Sequence, residues 1–185
     1  MSRRVVVTGI GVISPVGIGK DNFWNSLMAG KSGIGPITHF DPAEYSTRIA
    51  GQVNDFVPEN FLDKKEAKRM DRNTQFSIAA SKLAIEDSGI DLEKIDKRRA
   101  GVIVATGIGG VSTMHDQYET LFAKGPNRIS PFFVPMMIAN MAAGQTSIQF
   151  GFQGPCLCVV TACTGGTNAI GEATRKIQHG DADMM

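Results

Sequence analysis

The sequence predicts an α/β fold in which a mostly parallel, mixed sheet is flanked by helices. Two observations predict it: short runs of apolar, β-branched residues alternate with helical patterns, and glycine-rich turns follow several of those runs. Apolar residues make up 42% of the 185 residues, which is enough to bury a sizeable core. Because strands that are apolar throughout are covered on both sides, the sheet is expected between helical layers.

A strand, a glycine turn and a helix form the first unit of the chain. Residues 4–7 are β-branched and apolar and predict a buried strand, and residues 8–11 turn the chain. Asp21 or Asn22 can cap the helix that follows. Residues 30–60 contain many glycines and prolines, which predicts excursions and short strands over a core.

Two helices and a second strand unit come next. The charged run at residues 63–71 and the apolar pattern at residues 74–87 predict consecutive helices. Residues 101–105 form a fully apolar strand and lead into a glycine loop at residues 107–110. A helix over about residues 112–122 completes this unit.

The last third of the chain repeats the pattern. A loop at residues 129–133 precedes a helix that is rich in small residues and runs to Phe150. Residues 154–161 predict another apolar strand, and residues 164–179 predict a helix that Gly180 ends.

Residues 181–185 have the pattern of an approach to one more buried strand. A natural domain end is usually exposed and polar. We therefore expect residues 1–185 to be the first part of a longer protein.

Composition argues against several partners and settings. The formal net charge is +1, the pI is about 7.7, and acidic and basic residues are interleaved, so no nucleic acid or anionic membrane partner is predicted. The longest apolar stretch, residues 132–144, is interrupted by Pro135 and Asn140 and is too short to cross a bilayer. Three cysteines crowded between residues 156 and 163 favour a reduced, cytoplasmic setting over a disulfide framework.

The three cysteines differ in what they can do. Cys156 and Cys158 point to one face of a strand, but the spacing suits zinc poorly, so no metal site is predicted and both are expected to be small buried residues. Cys163 lies between the predicted strand and the next helix. At a helix N-terminus the dipole and the free backbone N–H groups favour a thiolate and can stabilise an oxyanion. The spacing leaves two interpretations of Cys163, a reactive nucleophile or a buried thiol.

Glycines cluster in two loops and one helix. In the first loop Ser14 replaces the third glycine of the dinucleotide fingerprint and no acidic residue follows at the required distance, which favours a structural turn. The loop at residues 107–110 lacks a following Lys-Ser/Thr, so close packing or an adjoining pocket explains its glycines better. The helix after Cys163 contains three glycines, each costing about 1 kcal/mol relative to alanine, and is therefore expected to be closely packed.

One predicted helix carries a cluster of basic residues, which are Lys64, Lys65, Lys68, Arg69 and Arg72. Three acidic residues, Asp63, Glu66 and Asp71, accompany them. The pattern fits a solvated charged face, and it also fits a docking surface for an acidic partner.

Two adjacent motifs carry a family resemblance. Residues 159–163 (Val-Val-Thr-Ala-Cys) and residues 166–173 (Gly-Thr-Asn-Ala-Ile-Gly-Glu-Ala) resemble the β-ketoacyl-[acyl-carrier-protein] synthases, and the elongating type called synthase II most of all. Further similar motifs extend over the chain, at residues 4–11, 14–17, 68–71, 107–110, 129–135 and 180–183. The resemblance implies a thiolase-like, layered α/β/α fold made of two related halves. Residues 1–185 would be most of the first half, with an excursion around residues 30–72.

The resemblance also implies a reaction, the decarboxylative Claisen condensation of fatty-acid elongation, which requires no redox or organic cofactor. Cys163 is similar to the residue that takes an acyl chain from an acyl carrier protein as a thioester. Its backbone N–H is similar to an oxyanion donor. Malonyl-carrier protein then loses carbon dioxide, and its carbanion attacks the thioester. The implied enzyme is a homodimer.

The resemblance extends to substrate and partner sites. The residues similar to those of the family's acyl pocket are Gly107, Ile108 and Phe133, the last reaching in from the partner subunit. The residues similar to the basic patch that receives the acidic carrier protein are Lys65, Lys68 and Arg69.

Two departures from the family pattern stand out. The family's two catalytic histidines and its conserved lysine are expected beyond residue 185, and the histidines of this chain, His39, His115 and His179, match none of them. After the nucleophile the family has Ala or Ser and then Thr or Ser, whereas this chain has Thr164 and Gly165. The β-branched Thr164 either crowds the pocket or caps the helix.

Two alternatives to fatty-acid elongation remain. A ketosynthase of polyketide assembly shares these motifs and differs in its partner. A non-catalytic chain-length subunit characteristically lacks the nucleophile, so Cys163 argues against it. Residues 1–185 alone are expected to be inactive.

Overall fold

The structure is a computed structural model and describes residues 3–185. The α-helices are α1 (Lys20–Met28), α2 (Lys64–Ala67), α3 (Arg72–Ser88), α4 (Val111–Lys124), α5 (Phe133–Met137), α6 (Met141–Phe150) and α7 (Gly165–His179). The strands are β1 (Ile13–Ser14), β2 (Gly17–Ile18), β3 (Ile34–Pro36), β4 (Ile49–Gly51), β5 (Val102–Ala105) and β6 (Cys156–Val159). Single turns of 3₁₀ helix lie at Pro58–Asn60, Lys97–Arg99, Pro126–Arg128 and Ala162–Thr164.

The described chain divides into two compact units. The first contains residues 3–7, 58–78 and 90–185, and the second contains residues 8–57 and 79–89. Every residue proposed for the candidate site lies in the first unit.

A parallel pair of strands, β5 and β6, lies at the centre of the first unit. Val104 is paired with Cys158, whose thiol donates a hydrogen bond to the carbonyl oxygen of Ala139, just before α6. Ala105 is the next residue of β5, and a Cβ atom built on Gly165, at the start of α7, would lie 3.0 Å from the Ala105 Cβ. Because successive side chains of a strand point to opposite faces, α6 and α7 cover opposite faces of the pair. The predicted arrangement of helices on both faces is confirmed here.

The basic segment, which we define as residues 64–72, is held by a small apolar core. Leu62, Ala67 and Ile78 are buried and pack together, and the partly buried side chains around them are Phe61, Met70 and Phe150. Four basic side chains of the segment are exposed, those of Lys64, Lys65, Lys68 and Arg69. The apolar contacts therefore fix the backbone from which the basic side chains project.

Asp71 lies near the end of the basic segment, directly before α3, and is 5% exposed. Its carboxylate accepts hydrogen bonds from the Thr113 backbone N–H (2.8 Å), the Thr113 hydroxyl (2.7 Å) and the Asn73 backbone N–H (3.1 Å). Its carbonyl oxygen also accepts from the backbone N–H groups of Thr74 and Gln75. One buried side chain thus links the start of α3 to the first turn of α4, and the interpretation of Asp71 as part of a solvated face is wrong.

The second unit contains two antiparallel ribbons, β1 with β2 and β3 with β4. A Cβ atom on Gly9 or Gly11 would overlap the carbonyl oxygens of Ala84 and Ala80 in α3, so both glycines allow the chain to lie directly against the helix backbone. Asp87 accepts a hydrogen bond from the Ile10 N–H at 2.9 Å and pairs with Lys20, which lowers the pKa of its carboxyl. This packing accounts for the first glycine loop as a structural turn.

Two local predictions are wrong. Residues 4–7 form no strand, and the side chains of Val6 and Val7 are 65% and 78% exposed. An extended apolar segment becomes a strand only where another strand pairs with it, and residues 3–185 provide none. Helix α1 begins at Lys20 with Gly19 at its N-cap, so Asp21 and Asn22 lie inside the first turn instead of capping it.

The charged run at residues 63–71 forms a shorter helix than predicted. Asp63 accepts hydrogen bonds from the backbone N–H groups of Lys65 and Glu66 and so caps α2, which ends after four residues at Ala67. The burial of Asp71 explains the early end, because the chain must turn inward to place that carboxylate beside Thr113.

The predicted approach to a further strand at residues 181–185 is supported by a parallel bridge between Ala100 and Met184. Beside it the Asp183 carboxylate accepts hydrogen bonds from Arg99 and Arg3, which hold the pKa of Asp183 far below its ordinary value. Across residues 3–185 none of the helices combines the length and the hydropathy needed to span a bilayer.

Asp71→Ala tests the link between α3 and α4. We expect the free energy of unfolding to fall by about 2–3 kcal/mol, because three donors lose their buried acceptor. Urea denaturation measures the change. Asp116→Ala, an exposed position on the same α4, is the matched control and is expected to change the free energy by less than about 0.5 kcal/mol. Equal losses for the two variants would contradict the role of Asp71.

Candidate active site

Cys163 lies in the turn that joins β6 to α7. Strand β6 ends at Val159, the 3₁₀ turn Ala162–Thr164 follows, and α7 begins at Gly165. The predicted position at the junction of a strand and a helix is confirmed. The Cys163 side chain is exposed in residues 3–185, so the interpretation of a merely buried thiol is wrong.

The residue before Cys163 has a strained backbone. Ala162 has φ 48°, in the left-handed region that residues with a Cβ avoid at a cost of about 1–2 kcal/mol. It is the one non-glycine residue with positive φ in the described chain. The surrounding hydrogen bonds must hold this conformation, and such strain is found preferentially at functional turns.

Thr164 closes the turn and does not cap the helix. Its hydroxyl donates to the Thr161 carbonyl oxygen at 2.7 Å, and no backbone N–H of α7 donates to the Thr164 side chain. Of the two interpretations of Thr164, helix capping is therefore wrong. The hydroxyl is instead bonded to the residue two positions before Cys163.

The glycine loop at residues 107–110 lies at the same edge of the sheet as the cysteine turn. Strands β5 and β6 are parallel, so the segments that follow them emerge together. The Thr106 N–H donates to the Val159 carbonyl oxygen at 3.2 Å, which continues the pairing past the end of both strands. The structure therefore brings Cys163 and the loop to one edge.

Close packing explains two glycines of this loop. Gly109 has φ 97°, and a Cβ atom there would lie 2.6 Å from the Met137 carbonyl oxygen. The Gly110 N–H donates to that same oxygen at 2.8 Å. The loop is thereby joined to α5, whose first residue is Phe133.

The predicted pocket residues occupy different surroundings. A Cβ atom on Gly107 would meet no neighbour within 4 Å, and the Ile108 side chain is 67% exposed. Phe133 is half-buried. Ile108 and Phe133 therefore lie on two segments, the glycine loop and α5, that a hydrogen bond joins. Within residues 3–185 the Ile108 side chain is not enclosed in a cavity.

The basic segment is connected to the same region. The Arg69 guanidinium carbon lies 4.9 Å from the ring centroid of Phe132, the residue before α5. A Cβ atom on Gly110 would lie 3.0 Å from the Asp71 Cβ. Lys65, Lys68 and Arg69 are all exposed. The basic segment, the glycine loop and α5 thus form one contiguous part of the first unit.

The other cysteines differ from their prediction. Cys156 is exposed, and Cys158 is half-buried with its thiol hydrogen-bonded to the Ala139 carbonyl oxygen. Burial raises the pKa of the Cys158 thiol. Neither is the fully buried residue that the sequence predicted.

The packing of α7 agrees only in part with its glycine content. Gly165 lies against Ala105, as expected for a close approach. Cβ atoms on Gly166 and Gly171 would meet no neighbour within 4 Å, and Ile170 is 68% exposed. Within residues 3–185 the prediction of a closely packed helix therefore holds at Gly165 and is wrong at Gly166 and Gly171.

Two structural features of this region are not apparent from the sequence. In the sequence Asp71 has the context of a surface charge, because its partner Thr113 lies 42 residues further along the chain. Asn168, whose side-chain amide donates to the Thr161 hydroxyl at 2.9 Å, received no role. The sequence does contain one signal for Asn168: it lies one helical turn after Thr164, a spacing at which two side chains of a helix can meet.

The chain is similar to known proteins in sequence and in fold. The sequence profile of the β-ketoacyl synthase N-terminal domain matches residues 2–185. A 3-oxoacyl-[acyl-carrier-protein] synthase 2 from Synechocystis sp. is 50% identical over 99% of the chain, and one from Vibrio cholerae is 48% identical over 99%. The chain covers 44% of each relative and so spans less than half their length.

A solved structure agrees in fold. The ishigamide ketosynthase/chain length factor superposes with a TM-score of 0.89 at 30% identity, over 98% of this chain and 46% of that one. Together with the sequence matches, this likeness identifies the α/β arrangement as the thiolase-like fold of ketosynthases. The chain therefore belongs to the β-ketoacyl synthase family, whose N-terminal domain it matches from residue 2 to residue 185.

Proposed function

We propose that the protein containing this chain is an elongating β-ketoacyl-[acyl-carrier-protein] synthase of fatty-acid synthesis. The observation that carries the proposal is the exposed Cys163 on a strained turn at the N-terminus of α7. The names of relatives that share up to 50% identity with the chain support the substrate class.

In the first half-reaction Cys163 accepts the acyl chain. The Cys163 thiolate attacks the carbonyl carbon of the acyl thioester, and the carrier-protein sulfur leaves as a thiolate, which takes up the proton that Cys163 gave up. The backbone N–H of Cys163 has no acceptor within residues 3–185 and is free to donate to the oxyanion that forms. The N-terminal end of the α7 dipole favours both the thiolate and the oxyanion.

In the second half-reaction malonyl-carrier protein loses carbon dioxide. The electron pair of the broken carbon–carbon bond becomes a carbanion, which attacks the carbonyl carbon of the Cys163 thioester. The Cys163 thiolate leaves, and the product is a β-ketoacyl chain on the carrier protein. No redox or organic cofactor and no metal takes part.

Substrate contacts come from the segments at the same sheet edge. Gly107, Ile108 and Phe133 contact the acyl chain, and Phe133 does so from the partner subunit of a homodimer. The open surroundings of Ile108 within this chain are consistent with a pocket that a second surface completes.

The acyl carrier protein docks on Lys65, Lys68 and Arg69. These side chains are exposed, as are the nearby carboxylates of Asp63 and Glu66, whereas the carboxylate of Asp71 is buried and hydrogen-bonded. Four basic side chains and one carboxylate, that of Glu66, are exposed on the basic segment, so its surface is predominantly positive, which suits an acidic partner.

The chain corresponds to the first of two related halves. The family's catalytic histidines and lysine belong to the second half, so residues 1–185 alone are inactive. The full protein acts in the cytoplasm.

A polyketide ketosynthase is the second candidate function. The likeness in fold to the ishigamide ketosynthase/chain length factor favours it. The sequence identity to that protein is 30%, however, whereas the identity to the synthase 2 from Synechocystis sp. is 50%. A non-catalytic chain-length subunit is disfavoured by the presence of Cys163.

Replacing Cys163 tests the nucleophile. In the full-length protein we expect Cys163→Ala to lower chain extension by at least about a thousandfold and to abolish stable acylation, because the thioester cannot form. Labelled acyl-carrier protein measures both. Cys156→Ala, an exposed thiol on β6, is the control and is expected to retain activity within about twofold. Stable acylation of the Cys163→Ala protein would refute the mechanism.

Charge reversal tests the docking surface. In the full-length protein we expect Lys65→Glu with Lys68→Glu to raise the KM for acyl-carrier protein by about tenfold at low salt, with a smaller difference at high salt. Lys124→Glu is the control, because that exposed lysine lies at the far end of α4, about 16 Å along the helix from Thr113. An equal rise for the control would show a general charge effect and would contradict local docking.

A further inference from the structure

Three polar side chains form a hydrogen-bonded bracket around the cysteine turn. The Thr164 hydroxyl donates to the Thr161 carbonyl oxygen at 2.7 Å, and the Asn168 amide nitrogen donates to the Thr161 hydroxyl at 2.9 Å. The same Asn168 nitrogen lies 3.5 Å from the Thr164 hydroxyl oxygen. We call Thr161, Thr164 and Asn168 the Thr-Asn bracket.

The bracket spans the strained residue. Thr161 precedes Ala162, whose φ is 48°, and Thr164 follows Cys163. Because the bracket joins the residues on both sides, Ala162 cannot relax to a right-handed conformation without breaking at least one of these hydrogen bonds. Backbone strain of this kind persists only where the surroundings determine the conformation.

The bracket is itself anchored to the sheet. Asn168 lies one turn inside α7, and α7 starts at Gly165, where a Cβ atom would lie only 3.0 Å from the Ala105 Cβ. The glycine allows the helix to approach β5 directly. Helix α7 is packed on the sheet, and the hydrogen bonds of the bracket join it to the turn that carries Cys163. The packing of the helix therefore fixes the position of the turn.

We propose that the Thr-Asn bracket positions Cys163 for its reaction, an inference that rests on the proposed function for the identity of that reaction. Thr161, Thr164 and Asn168 are positioning residues, since they act through the backbone of the turn. The bracket keeps the Cys163 thiol at the N-terminus of α7, where thiolate is favoured. Thr164 supplies a hydroxyl to the turn.

Thiol alkylation tests the bracket without a carrier protein. In the full-length protein, the rate of Cys163 alkylation by iodoacetamide is measured by fragment-ion mass spectrometry and divided by the rate at the exposed Cys156. We expect Thr164→Val, which keeps the β-branch and removes the hydroxyl, to lower this ratio by about fivefold, the size of effect one hydrogen bond can have. Thr164→Ser, which keeps the hydroxyl, is expected to stay within about twofold of the unchanged protein.

Thr167→Val is the matched control. Thr167 is exposed in the same turn of α7, its hydroxyl makes no hydrogen bond within residues 3–185, and its replacement is expected to leave the ratio unchanged. If Thr164→Val fails to fold, Asn168→Ala provides the same comparison because it removes both amide contacts.

Two outcomes would overturn the bracket. One is an equal ratio in Thr164→Val and Thr164→Ser, and the other is a parallel change at Cys156, which would indicate a loss of stability instead of local positioning. Failure of the proposed function is separable, because it is decided by acyl transfer to Cys163, whereas alkylation requires neither substrate nor carrier protein.

Discussion

The buried carboxylate of Asp71 holds together the segments on which the candidate site depends. It accepts two hydrogen bonds from Thr113 in α4 and one from the Asn73 N–H at the start of α3. A buried carboxylate is costly unless such donors surround it, so the pairing fixes where the chain can turn. Because Asp71 directly follows Arg69 and Met70 and its Cβ lies against Gly110, this one residue sets the basic segment beside the glycine loop.

A second constraint is the parallel pairing of β5 and β6. It brings the glycine loop and the cysteine turn to one edge of the sheet, although the segments are about fifty residues apart in the chain. The close approach of α7 at Gly165 and the left-handed Ala162 then place the thiol at the helix N-terminus. Asp71 thus organises the region proposed to receive the carrier protein, and the strand pair organises the region proposed for the chemistry.

Features governed by local rules were predictable from the sequence. The junction at Cys163, the loop after β5 and the glycine at residue 180 that ends α7 follow from apolar runs, turn residues and helix caps. Features that depend on distant partners were not. Asp71 has the sequence context of a surface charge, because only the fold supplies Thr113, and residues 4–7 have a strand pattern without a pairing strand in the described chain. The contribution of Thr164 likewise depended on Thr161 and Asn168 meeting around the turn.

The location of the acyl group tests the central claim most directly. The full-length, unmodified protein is incubated with labelled acyl-carrier protein, digested, and the acyl group is assigned to a residue by fragment-ion mass spectrometry. The three cysteines lie within eight residues of the chain. Cys156 and Cys158 lie on β6, the first exposed and the second half-buried, whereas Cys163 is exposed in the turn. The account predicts the acyl group on Cys163. Its presence on Cys156 or Cys158, or the absence of any acyl-enzyme while chain extension proceeds, would contradict it.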